Sequence, residues 1–169
     1  MLDAINQFMQ AGGEVLYLIA SLTFLMWTLI FERFYYFFTE LKNEVNAAVN
    51  SWDMRQERQS WQAKKVRLKL ISEVRLSINE HLPMIRTLVA LCPLMGLLGT
   101  VWGMIEVFNI MAVTGGGEAK AMAAGVSKAT IPTMAGMVAA LSGVFANTFL
   151  TRIADRESLL LEDHMTLDH

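Results

Sequence analysis

Residues Leu91 to Phe149 read LCPLMGLLGTVWGMIEVFNIMAVTGGGEAKAMAAGVSKATIPTMAGMVAALSGVFANTF. Two long apolar segments, Leu91 to Val113 and Ala121 to Phe149, flank the turn Thr114-Gly115-Gly116-Gly117. A helix needs roughly 20 mostly apolar residues to cross the hydrocarbon layer of a bilayer, and both segments reach that length. Neither alternates with period two, and neither carries a polar stripe wide enough for a soluble amphipathic helix. The stretch therefore predicts a transmembrane helical hairpin.

Small residues punctuate both arms: Gly96, Gly99 and Gly103 in the first, Gly136, Ala139, Ala140 and Gly143 in the second. In water each glycine costs a helix about 1 kcal/mol, whereas in lipid small residues let backbones approach and gain packing. The pairs Gly99 with Gly103, Gly136 with Ala140 and Ala139 with Gly143 are accordingly expected as helix-packing seams, and their number suggests contacts between subunits.

Working outward, 169 residues with 54% hydrophobic and 18% charged residues and a mean hydropathy of +0.38 make the chain too apolar for an average soluble domain. A formal net charge of -2 and the absence of a basic block interleaved with aromatics exclude a nucleic-acid binder. The single cysteine, Cys92, lies in an apolar helix and reads as a small buried residue. No basic residue precedes the first apolar run, so a cleavable signal peptide is not expected.

Residues 1–13 place Leu2, Ile5, Phe8 and Met9 at helical spacing before a break at Gly12-Gly13, which predicts a short surface helix. Residues 14–38 form the first expected span, ending in the aromatic run Phe34 to Phe38 beyond Glu32-Arg33. Over 39–84, Trp52, Trp61, Leu68, Ile71, Val74, Ile78 and Leu82 recur at mostly helical intervals among Lys and Arg, predicting a packed helical stalk. Spans at 85–113 and 121–150 follow, joined by the turn at 114–120. A tail at 151–169 is expected to prolong the last helix and then fray.

Arg33, Lys42, Arg55, Arg58, Lys64, Lys65, Arg67, Lys69, Arg75 and Arg86 lie at or between the facing ends of the first and second spans, and Arg152 and Arg156 follow the third. By the positive-inside rule the stalk and C-terminus are cytoplasmic, and the N-terminus and glycine turn lie outside. The expected fold class is all-α integral membrane, with three transmembrane helices and cytoplasmic helical extensions.

Few residues carry chemistry. His81, His164 and His169 have no paired ligands at useful spacing, and no catalytic triad, metal set or phosphate loop is present. No enzyme, metal or cofactor is expected. Polar candidates sit in the hairpin. Residues equidistant from Gly117 share a depth, which matches Glu106 with Lys128 and, within one residue, Thr100 with Thr133. The charged pair reads as an intramembrane salt bridge, because an unpaired charge there costs several kcal/mol, with a direct part in ion movement as the alternative. The threonines, beside Gly96, Gly103 and Gly136, read as a polar lining; taken singly, each is a hydroxyl bonded to its own helix. Pro93 and Pro132 remove backbone donors inside the spans and are expected to kink them or bare carbonyls to that lining.

The run Pro93-Leu-Met-Gly-Leu-Leu-Gly-Thr-Val-Trp-Gly-Met-Ile, with Gly125-Val-Ser-Lys-Ala and Thr133-Met-Ala-Gly-Met-Val-Ala-Ala, resembles the MotA/TolQ/ExbB proton-channel family, most closely its ExbB-type members in TonB energy-transduction systems. The resemblance covers most of the chain from the first span onward. It implies a homopentamer in the inner membrane of a Gram-negative bacterium, surrounding an ExbD-like single-span partner and passing work to a TonB-like protein. Thr100 and Thr133 match the threonines facing the partner's membrane aspartate along a water-assisted proton path. The chain departs from the pattern at Lys128, where many members carry glutamate, and at Glu106, a position often neutral. A TolQ-like subunit of the Tol envelope system and a non-conducting membrane scaffold are the alternatives.

Overall fold

The computed structural model describes the backbone of residues 2–54, 60–114 and 119–165, and the side chains of 12–54, 60–113 and 122–165. Within these residues the chain is helical: α1 (Leu2–Thr39), α2 (Leu41–Asp53), α3 (Trp61–Asn79), α4 (Leu82–Thr114) and α5 (Ala119–His164). The glycine turn at 115–117 lies outside the described residues, as do the side chains of Leu2, Ile5, Phe8 and Met9. Three helical stretches, in α1, α4 and α5, are long and apolar enough to cross a membrane. The chain divides into two compact units, Met1–Trp27 with Arg86–Phe145 and Thr28–Ile85 with Ala146–His169.

In the first unit, α1 breaks at Gly13, which has φ 68 and ψ -164. Only glycine adopts that conformation cheaply, and it marks where the N-terminal segment gives way to the span. Glycines set the approach of α4 to α5. A Cβ at Gly96 would lie 3.0 Å from the Pro132 carbonyl oxygen, and one at Gly103 would lie 2.7 Å from the Ala129 Cβ. On α5, Gly143 faces the Met26 sulfur and Val89. Ala139 and Ala140 are buried. These seams join helices of one chain.

In the second unit, α2 packs on α3. Leu41, Ala48 and Trp52 of α2, with Ala63, Ile71, Val74 and Ile78 of α3, are buried. Ser60 caps α3 by accepting from the Ala63 amide at 3.2 Å, satisfying one of its free N–H groups. Two residues expected on the packed face are elsewhere. Trp61 is 69% and Leu68 62% exposed, and Lys65 Nζ stands 3.8 Å over the Trp61 ring instead. The helical period fits them to the stripe only loosely, and α2 and the end of α5 cover the other side.

The last helix carries on to His164, and residues 166–169, where the expected fraying falls, lie outside the described residues. Arg67 donates from Nε to the Met165 carbonyl and from Nη2 to the Glu162 carbonyl at 3.1 Å, while Arg75 Nη2 meets Glu162 Oε2 at 3.3 Å. The Arg67 guanidinium occupies carbonyls that a helix C-terminus leaves open, and Arg75 adds an ion pair to the same turn.

Candidate functional site

Pro93 lies within α4 and Pro132 within α5. Both helices run on through them, and the backbone break recorded in the spans is at Gly13. Each proline lacks the N–H that would bond the carbonyl four residues earlier, those of Val89 and Lys128. Pro132 is fully buried and is the group that a Cβ on Gly99 would strike first. Pro132 and the glycines facing it, Gly96 and Gly99, with Gly136 against the Cys92 carbonyl, thus bring α4 and α5 to backbone distance just where the threonines lie.

The threonines bond differently. Thr133 Oγ1 donates across the pair to the Gly96 carbonyl at 3.0 Å. Thr100 Oγ1 donates within its own helix, to the Leu97 carbonyl at 2.7 Å. Ser142 and Thr130 likewise bond their own helix, to Ala139 and Ser127. The cross-helix bond is possible because Gly96 has no side chain to hold α5 away. Each hydroxyl spends its single proton on a carbonyl and keeps its oxygen lone pairs as acceptors.

Lys128 Nζ stands 3.9 Å from Glu106 Oε1, with both side chains about half exposed. They line a cavity of about 370 Å3 together with Glu14, Trp102, Val107 and the glycines at 12, 13, 99, 103 and 125. Glu14 does not stand out in the sequence as a partner of this pair. The signal for it is the spacing of charges: the runs 15–31, 87–105 and 129–151 contain no Asp, Glu, Lys or Arg. Each is about the length of a membrane crossing. Glu14, Glu106 and Lys128 terminate the three runs, and they meet around one cavity. The pair therefore bounds the apolar runs, where water can share in its solvation.

This geometry sets a test of the pair. Glu106→Lys or Lys128→Glu alone places like charges within about 4 Å. An exposed pair is worth roughly 0.2–1 kcal/mol, so each single change should lower thermal stability in nanodiscs by that order. The double exchange should restore it. A double variant no better than either single one would show that the two groups do not interact.

A model of the MotA/TolQ/ExbB proton channel family matches residues 36–163. The chain belongs to that family. Members similar to it include biopolymer transport protein exbB1 of Vibrio cholerae serotype O1, 36% identical over 54% of this chain and 41% of the relative. Biopolymer transport protein ExbB of Helicobacter pylori is 33% identical over 54% and 65%. The Tol-Pal system protein TolQ of Haemophilus influenzae is 32% identical over 52% and 37%. The alignments thus span less than two thirds of each relative's length. Membership in the MotA/TolQ/ExbB family and three apolar helices of crossing length identify a multi-pass membrane protein of a proton-channel class.

A second constellation lies in the second unit. Arg33 is 2% exposed and donates to the Ser77 carbonyl at 3.0 Å and to Glu80 Oε2 at 3.2 Å. The sequence marks Glu32-Arg33 as the end of the first span, but nothing in local spacing links Arg33 to residues more than 40 positions away. Tyr36 extends the network, donating to Glu44 Oε2 at 2.6 Å and sharing a 2.8 Å bond with Ser77 Oγ.

Proposed function

We propose that this chain is the channel and stator subunit of a bacterial inner-membrane motor, with its N-terminus periplasmic and its C-terminus cytoplasmic. Five copies surround an ExbD-like single-span partner and use the proton motive force to energise a TonB-like protein acting on outer-membrane transport. The observation carrying this reading is the apposition of Pro93 to Thr100 on α4 with Pro132 to Gly136 on α5, within the region that the family model matches. Thr100 and Thr133 offer hydroxyl oxygens that accept hydrogen bonds from water or from a protonated carboxyl on the partner. Neither residue needs to ionise to relay a proton through ordered water.

The similarity to TolQ of Haemophilus influenzae supports a second reading, in which the same machinery drives the Tol envelope system. The two differ in the partner recruited, so one purification decides between them. The complex isolated from its host in mild detergent should contain five copies of this chain and a small single-span protein, with a TonB-like or a Tol-type component associated. A stable, partnerless monomer or dimer would overturn both readings and favour a scaffold.

Thr100→Val tests the path itself. Its hydroxyl bonds only its own helix, so the variant should assemble with unchanged stability yet lose proton-dependent work by roughly tenfold or more, the scale of one lost hydrogen bond to a charge in transit. Thr133→Val should lose both activity and part of the α4–α5 contact, and Thr133→Ser should retain both. Full activity in Thr100→Val and Thr133→Val would sink the path and leave the threonines as packing residues.

A further inference from the structure

The corner between α3 and α4 is made by His81, which has φ 62. Left-handed backbone is uncommon outside glycine and recurs with Asn, Asp and His. His81 carbonyl oxygen accepts from the Ile85 amide at 2.9 Å, starting α4. Its ring faces back to α1. Nδ1 lies 2.7 Å from Arg33 Nη2 and 3.2 Å from Glu32 Oε2.

Those two neighbours make opposite demands on one nitrogen. A guanidinium only donates, so a bond to Arg33 requires Nδ1 to be bare and the ring neutral with its proton on Nε2. A carboxylate only accepts, so a bond to Glu32 requires Nδ1 to carry a proton. Charging the ring brings a second cation beside Arg33 and at the same moment gives Glu32 a donor. The other groups around the ring are accounted for. Glu80, at the end of α3, is paired with Arg33 at 3.2 Å, and Glu32 Oε2 also stands 3.5 Å from Arg33 Nε, so the Glu32 carboxylate is shared between the guanidinium and the ring. Glu44 of α2 is engaged one step away by Tyr36, whose ring lies 5.1 Å from the Arg33 carbon. The first turn of α4, Leu82 to Ile85, contains no titratable residue.

We infer that His81 is a proton-operated link between α1 and the α3–α4 corner: neutral, it accepts from Arg33, and protonated, it releases Arg33 and donates to Glu32. The ligand of this site is a proton from the aqueous compartment that holds the α2–α3 hairpin. Because one ring nitrogen stands between a cation and an anion, the uptake of a single proton exchanges its partner. Arg33 keeps the Ser77 carbonyl and Glu80 in both states, so the corner loosens without coming apart. His81 lies outside the threonine site, and this inference does not depend on how that site works.

The test uses the full chain in lipid nanodiscs, with histidine side chains labelled with nitrogen-15. H81N identifies the His81 signals among the three histidines, since asparagine tolerates the same backbone conformation without titrating. At pH 8 the native ring should show a bare Nδ1 and a protonated Nε2; at pH 5 both nitrogens should be protonated. Hydrogen exchange at the corner amides, corrected for intrinsic pH dependence, should quicken several-fold over the same interval in the native chain and stay flat in H81N. In E32Q, which withdraws the charged acceptor, the transition should move to lower pH. A proton on Nδ1 at pH 8, or an H81N exchange profile that tracks the native one, overturns the inference. Should H81N fail to assemble, E32Q decides alone, and an unmoved transition overturns it.

Discussion

Gly136→Ala is expected to destabilise the first unit by about 1–3 kcal/mol, the usual cost of overpacking, although alanine is the better helix former by about 1 kcal/mol. A Cβ at position 136 would stand 2.5 Å from the Cys92 carbonyl oxygen, 3.2 Å from the Gly96 Cα and 3.3 Å from the Cys92 carbonyl carbon. All three are backbone atoms, so no side chain can rotate away. The helices must part by about half an ångström to bring the nearest contact to 3.0 Å, the limit below which real Cβ contacts essentially never fall. That displacement stretches the Thr133–Gly96 bond from its 3.0 Å toward the limit at which it ceases to count as a hydrogen bond. Stability and proton-dependent work should therefore fall together. Gly125→Ala is the control. Its Cβ would meet a Val107 methyl first and not a backbone atom, and a side chain gives way more cheaply than a peptide group, so its loss should be smaller. Thermal unfolding in nanodiscs measures both, and a Gly136→Ala chain as stable as the native one would refute the close backbone contact.

Arg33→Met should destabilise the second unit by about 2–4 kcal/mol. A hydrogen bond to a charged group contributes about 1.5–3 kcal/mol, and the guanidinium makes several at once. Removing an entire buried ion pair is often harmless, but here one member goes and its partners stay. Glu80 is 61% exposed and Glu32 47% exposed, so water solvates those carboxylates and softens the loss. The remaining cost falls on the Ser77 carbonyl and on packing around the Tyr36 ring, which the arginine stem and cation supply. Arg33→Lys should fall between, because one ammonium cannot serve Ser77, Glu80 and His81 in the geometry of a planar fork. Chemical unfolding should rank native above lysine above methionine. Equal stability of the methionine variant would mean that the desolvation of Arg33 cancels its bonds.

These two positions were legible to different degrees. Gly136 announces itself as part of a small-residue seam, since glycine inside a long apolar run has no local reason to be there. The sequence does not say which atom it faces, and the answer, the Cys92 carbonyl, decides why even a methyl is too large. For Arg33 the sequence offers only the end of an apolar run. Its burial depends on Ser77, Glu80 and His81 arriving from the far end of α3, a long-range event that no local spacing encodes.

The same division holds for the candidate site. Glu106 and Lys128 could be matched by depth because a helix rises by a constant amount per residue, and counting from the turn suffices. Glu14 could not be matched by counting from that turn, since it belongs to another helix. Thr100 and Thr133 shared a depth on the same count, yet one bonds its own helix and the other reaches across.

The amino-acid sequence by itself determined that this chain is helical and multi-pass, and it carried the family's motif on the right helices. Those properties depend on composition and on charge-free runs along one segment at a time. Tertiary structure alone decided the rotation of each helix about its own axis. Rotation follows from which side chains interlock with a neighbour, and it sends the Thr133 hydroxyl to Gly96, buries Arg33, turns Trp61 and Leu68 outward, and sets one nitrogen of His81 between a cation and an anion.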